Sequence, residues 1–146
     1  MPHPKIIKRL FSAPFLLLFI GLAGCGDSPN TSFKERSTEE TGVTFNNALS
    51  LGGDPSVLEF EYMYNGAGVA IADFDLDGLQ DIYFTGNMVS NRLYQNLGNW
   101  KFEDITVAAN AGSNDWSNGV SIVDINQDGY PDIYVSRGGP RGSSSA

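Results

Sequence analysis

The stretch DFDLDGLQDIYF, Asp73–Phe84, returns as DINQDGYPDIYV, Asp124–Val135, 51 residues further along the chain. The likeness extends outward on both sides. GVAIADFDLDGLQDIYFTG (Gly68–Gly86) aligns without gaps on GVSIVDINQDGYPDIYVSR (Gly119–Arg137). Gly, Val, Ile, two Asp, the loop Gly and the Asp-Ile-Tyr run all recur at the same offset, and Asp75 is answered by Asn126, another oxygen donor. Self-similarity at a period of this size marks a repeat architecture rather than a chance composition.

Each copy reads as β-structure. In GVAIAD, Val69 and Ile71 share one face while Ala70 and Ala72 share the other; in DIYFTG, Ile82 and Phe84 oppose Tyr83 and Thr85. Alternation with period two, in β-branched and aromatic residues, predicts strands. Two more short strands are expected at NRLYQN (Asn91–Asn96) and KFEDIT (Lys101–Thr106), joined by the turn LGNW. Four short strands in a unit of about 51 residues predict an all-β fold of four-stranded antiparallel β-propeller blades. One complete repeat covers about 68–118, and a second, 119–146, is truncated. The propeller is therefore incomplete, and an N-terminal fragment of a longer chain is expected. A β-sandwich containing two similar hairpins, or a solenoid, is the rival architecture.

The acidic loops call for a cation. Two carboxylates about 5 Å apart repel by roughly 3 kcal/mol at an effective dielectric near 20. In D-x-D-x-D-G-x-x-D, side-chain oxygens sit at loop positions 1, 3, 5 and 9, a backbone carbonyl is offered at 7, and Gly at 6 allows the sharp turn. The expected ligands are Asp73, Asp75, Asp77, the Leu79 carbonyl and Asp81 in the first loop. In the second they are Asp124, Asn126, Asp128, the Tyr130 carbonyl and Asp132. All-oxygen ligation points to Ca²⁺ over Mg²⁺, which prefers to retain water, and over softer metals, which want Cys or His. With four carboxylates against three, the first loop should bind more tightly. An EF-hand is excluded because position 12, a bidentate Glu there, is Phe84 or Val135 here, and both flanks read as strands where an EF-hand needs helices. Metal-free Asp/Gly hairpin turns are the alternative.

The amino terminus has a different character. Lys5, Lys8 and Arg9 precede an apolar run from Leu10 to Gly24, the layout of a signal peptide over residues 1–24 and too short to span a bilayer. LAGC, Leu22–Cys25, resembles the lipobox of bacterial lipoproteins, which makes Cys25 the expected lipidation site. It is the only cysteine, so no internal disulfide can form. Residues 25–42 are polar and read as a tether, with the repeat region over 43–146. A weak likeness of Phe33–Asn47 to Phe102–Trp116 hints that the end of that stretch joins the fold. The net charge is −8, every acid lies at or after Asp27, and the leader holds three of the nine basic residues. Such a chain is unsuited to nucleic acid, which is gripped by Lys and Arg on phosphates.

NGAGVAIADFDLDGLQDIYFTGN, RLYQNLGNWKFEDIT and GVSIVDINQDGYPDIYVSR together resemble the FG-GAP/VCBS repeats of integrin-α-type β-propellers, in the form found in bacterial envelope proteins related to cartilage acidic protein. The resemblance covers about Asn65–Gly139. Where that family often writes N-x-G-D-G-x-F, this chain has NLGNWKF, so the turn at Asn99 and Trp100 departs from the pattern. The resemblance implies a seven-bladed, calcium-bearing propeller used in adhesion or recognition of a protein or glycan. With the lipobox it implies a membrane-anchored lipoprotein of the bacterial cell envelope, at the periplasmic or surface face of the outer membrane. The only histidine, His3, lies in the leader, which argues against His-based catalysis. Glu59 with Glu61 and Glu103 with Asp104 are the carboxylate pairs that would serve a polysaccharide-active enzyme. An accessory subunit of an outer-membrane uptake complex is the third class. Tyr64 and Trp116 are candidate ligand-stacking aromatics, with blade packing as their other role.

Overall fold

A computed structural model describes residues 33–50 and 58–139. The leader, the lipobox with Cys25 and the first part of the polar tether, residues 25–32, lie outside the described residues. Every element belongs to one compact unit that begins at Glu35.

Six strands carry the unit: β1 (Val69–Ala72), β2 (Asp81–Phe84), β3 (Arg92–Asn96), β4 (Phe102–Asp104), β5 (Ser117–Val123) and β6 (Asp132–Arg137). β1 to β4 form an antiparallel meander in chain order, and β5 pairs with β6 as a separate hairpin. The registers repeat with the sequence: Ile71 faces Ile82 in the first hairpin as Ile122 faces Ile133 in the second. The described residues thus hold one four-stranded blade and the opening hairpin of the next. β4 is shorter than expected because a side chain takes over from the ladder: the Leu93 amide donates to Thr106 Oγ1 at 2.9 Å.

The core lies between the two sheets. Ala70, Tyr83 and Leu93 share one face of the meander and are buried. Val120, Ile122, Ile133 and Val135 of the hairpin pack on them, with Phe74, Ile105 and Ala111 at the margin. Full burial of one such side chain is worth about 1.5–3 kcal/mol. The Tyr83 hydroxyl donates to the Ala111 carbonyl at 2.8 Å and accepts from Asn91 Nδ2 at 3.1 Å, so its polar tip is satisfied inside the core. Burial raises its pKa above the ordinary tyrosine value, against the smaller effect of Asn91.

Between the sheets the chain crosses on a polar seam. Ser117 N–H donates to the Gly86 carbonyl at 3.0 Å, and Asn87 Nδ2 donates to the carbonyls of Gly66 and Ser117, each at 3.1 Å. Gly68 is needed where β1 meets β5: a Cβ there would lie 2.8 Å from the Val120 amide nitrogen. Trp116 is buried, edge-on to Phe60 at 5.1 Å, so it serves packing rather than ligand stacking. Tyr64 is exposed.

The end of the polar stretch is folded. Ser37 caps a single turn, α1 (Thr38–Thr41), by accepting from the Glu40 amide, and Gly42 closes it at φ 81°. A Cβ on Gly42 would stand 2.6 Å from the Phe102 carbonyl oxygen, so α1 abuts β4 only because this residue is glycine. Beyond it, Phe45 stacks on Phe84 at 4.8 Å and the Thr44 amide donates to the Tyr94 hydroxyl.

Candidate metal centre

Both acidic loops adopt one backbone, and their own aspartates hold it. In the first, Asp73 Oδ1 accepts from the Asp77 amide at 3.0 Å and Oδ2 from the Gly78 amide at 2.9 Å. In the second, Asp124 accepts from Asp128 at 3.1 Å and from Gly129 at 2.9 Å. Asp75 and Asn126 each accept from the same amides as well, at 3.2 and 3.1 Å. Asp77 Oδ1 caps the Leu79 amide as Asp128 Oδ1 caps Tyr130. Asp81 and Asp132 reach back from β2 and β6 to the amides of Phe74 and Ile125. Gly78 and Gly129 stand at φ 90° and 91°, where the sharp turn needs a residue without Cβ. Leu76 and Gln127 are also left-handed, each at φ 61°.

In the first loop the carboxylates of Asp73, Asp75 and Asp81 converge, each with an oxygen within 4.8 Å of the others. Oxygens around one Ca²⁺, at 2.3–2.6 Å from it, are at most about 5 Å apart, so this donor set fits such an ion. The amide bonds occupy only part of each carboxylate, because an ionised oxygen has two lone pairs. Asp77 stands outside that group, engaged with Leu79. Among the described residues, the second loop brings no three carboxylates together, since Asn126 replaces one of them and its amide donates to Asp128 Oδ2 at 2.9 Å. Backbone donation from Tyr130, then the Asn126 bond, lowers the Asp128 pKa below the ordinary aspartate value.

Two functional neighbours have no signal in the loop motif. Gln95 Nε2 donates to Asp75 Oδ2 at 2.6 Å, and the Asn96 amide donates to Asp81 Oδ1 at 2.8 Å. Both lie at the end of β3, which the pairing of Ile82 with Tyr94 carries alongside the loop. Strand register would have located them; spacing within the motif could not. Asp81 is thereby 2 % exposed, whereas Asp132 is only partly buried.

The carboxylate pairs that would serve catalysis lie on exposed surface. Glu103 and Asp104 are exposed neighbours on β4, and Asp104 is committed to Arg92 at 3.4 Å and to the Thr106 amide at 3.0 Å. Glu59 and Glu61 are exposed beside and within a 3₁₀ turn, Glu61–Tyr64. At the departing turn, Gly98, Asn99 and Trp100 all take positive φ, and the Arg36 guanidinium lies 5.4 Å over the Trp100 ring.

Residues 73–135 match the family model of the FG-GAP-like repeat, a span that opens on Asp73 and closes in β6. No curated protein and no solved structure matches the chain. The repeat is of the propeller type, in agreement with the all-β blade and hairpin, and such repeat domains are typically non-catalytic.

Proposed function

We propose that this chain is a calcium-binding, lipid-anchored β-propeller protein of the bacterial cell envelope, non-catalytic, that recognises a protein or glycan. The observation that carries the calcium reading is the convergence of Asp73, Asp75 and Asp81 on a loop whose backbone is held by its own hydrogen bonds. Bound there, the ion would neutralise the clustered charge and tie β1, β2 and, through Asn96 and Gln95, β3 into one unit. Its role is thus to stiffen a recognition scaffold. The anchor rests on the lipobox at Cys25 and its basic, apolar leader. Recognition as the task rests on the repeat type.

The test is thermal unfolding of the full chain with calcium and then with chelator. Stabilisation by bound ion follows RT ln(1 + [L]/Kd), about 2.7 kcal/mol at a hundredfold excess over Kd. A melting temperature that rises with calcium, and that loses the rise in Asp73→Ala, supports the reading. An unchanged melting temperature at millimolar calcium contradicts it. Labelling of the chain by a lipid precursor, abolished by Cys25→Ser, tests the anchor separately.

A further inference from the structure

Three large apolar side chains stand in solvent beyond the ends of the strands rather than on a sheet face. In the antiparallel meander the β1–β2 loop and the β3–β4 turn leave from the same end. Leu76, midway in the loop, is 52 % exposed, and Leu97 and Trp100 of the turn are 56 % and 61 % exposed. Loop and turn are joined at their bases: Gln95 reaches Asp75, and Asn96 Nδ2 donates to the Gln80 carbonyl at 2.8 Å. Folding does not ask for these side chains. The second loop builds the same left-handed turn with Gln127 in place of Leu76, each at φ 61°. Asn99 and Trp100 take positive φ as well, at 51° and 63°, where glycine would sit without strain. Strained tips that keep large apolar side chains in water point to a surface that receives them.

The route of the chain says which surface. Gly42 abuts the Phe102 carbonyl at the start of β4. Going back along the chain, the Glu39 carbonyl accepts from Lys101 Nζ at 3.5 Å, and Arg36 lies over the Trp100 ring at 5.4 Å. The segment thus runs toward the tips as it heads for Cys25. Cys25 lies 11 residues before Arg36, a span of at most about 40 Å. The chemistry of the tips agrees with a lipid surface. Trp favours the bilayer–water interface, leucine inserts beside it, and Arg36 with Lys101 offers cations at the depth of lipid phosphates. Arg36 meets Glu40 only at 3.9 Å, an exposed pairing that leaves its charge available. Asp75 and Asp77, exposed on either side of Leu76, disfavour an anionic surface, so the lipid that fits is zwitterionic.

We propose that Leu76, Leu97 and Trp100 form a membrane-docking tip that lies in the interface of a zwitterionic phospholipid bilayer, with the acidic-loop end of the blade facing the lipid. The proposal rests on the anchor at Cys25, which holds the tips within reach of the bilayer. It is independent of what packs on the sheet faces, because the three residues belong to connections at the strand ends.

Trp100 supplies its own probe, because the other tryptophan, Trp116, is buried. The full chain is floated with phosphatidylcholine vesicles, with and without bromine on the acyl chains, and the fluorescence of the floated chain is read. Brominated chains should quench the emission, and the quenching should vanish in Trp100→Phe. Leu76→Gln combined with Leu97→Gln, both at solvent-exposed positions, should melt with the wild type, still float, and lose most of the quenching. A chain that floats yet keeps its full emission on brominated vesicles overturns docking and leaves the anchor standing. A chain that stays in the soluble fraction overturns the anchor, and docking with it. Quenching that persists in Trp100→Phe, or that is equal in the leucine pair and the wild type, refutes these residues as the tip.

Discussion

The two acidic loops share their left-handed residues, their turn glycine and their pattern of hydrogen bonds, yet they sit in different surroundings. Both turn on a glycine near φ 90° and both fold the first aspartate over the same two amides. What separates them is a neighbouring strand and one substitution. β3 gives the first loop Gln95 and the Asn96 amide, burying Asp81. Among the described residues the second hairpin has no third strand, and Asn126 offers an amide where Asp75 offers a charge. Loop shape is thus written in the nine-residue motif, whereas the convergence of three carboxylates depends on the rest of the blade as well.

The largest effect expected from that difference is on stability. Asp81→Ala strands the Phe74 and Asn96 amides at a buried site and should cost about 3 kcal/mol in chelator, since hydrogen bonds to a charged acceptor contribute about 1.5–3 kcal/mol each. Asp132→Ala removes one such bond at a wetter position and should cost about 1 kcal/mol. Denaturant titration of both variants checks this, and equal losses would break the comparison.

Exchanging the third ligand should sharpen it. Asp75→Asn makes the first loop resemble the second and should weaken calcium binding there by about tenfold, as ligand charge sets affinity in oxygen cages. Asn126→Asp should strengthen the second loop in the opposite sense. Calorimetric titration of the full chain reads both.

The backbone half of the comparison predicts equality. A Cβ on Gly78 or on Gly129 meets nothing within 4 Å, so the cost of Ala at either place is conformational alone. Left-handed φ costs an L-residue about 1–2 kcal/mol. The two variants should therefore lose the same stability, and a difference would show that the loops are not the same turn.

The smallest effect concerns protonation. Asp128 is held ionised by Tyr130 and Asn126, so its folded pKa lies below its unfolded value. Its contribution to stability is complete above the ordinary aspartate range and is lost as pH falls through the lowered folded value. Asn126→Ala should raise its midpoint in a carboxyl-resolved NMR titration, but only part of the way, because the Tyr130 amide remains.

Much of this molecule is legible in its sequence, for reasons that can be named. The strands follow from period-two alternation, and all six fall where it places them. The sharp turns follow from Gly78 and Gly129. Alternation also groups Val69 with Ile71 and Ala70 with Ala72, but it does not say which set faces the core. Size would favour the β-branched pair, yet Ala70 is the buried one, because the first repeat turns its small-residue face toward the second hairpin. Gln95 and Asn96 were invisible for a similar reason: their role is set by strand register, not by the motif they serve. Leu76 and Gln127 give no chemical warning of positive φ; the amides of the next two residues, drawn onto Asp73 and Asp124, impose it. At Trp100 a bulky residue stands at positive φ where the related pattern writes glycine, and the Arg36 guanidinium lies over its exposed ring.

The amides of Gly78 and Gly129 report on the two loops directly, since each donates to the outer oxygen of its first aspartate. Calcium added to the full chain while both amide resonances are followed should move Gly78 first, to saturation at lower concentration, with Gly129 trailing. Resonances that both stay fixed through millimolar calcium would mean that the converging aspartates hold a turn and nothing else.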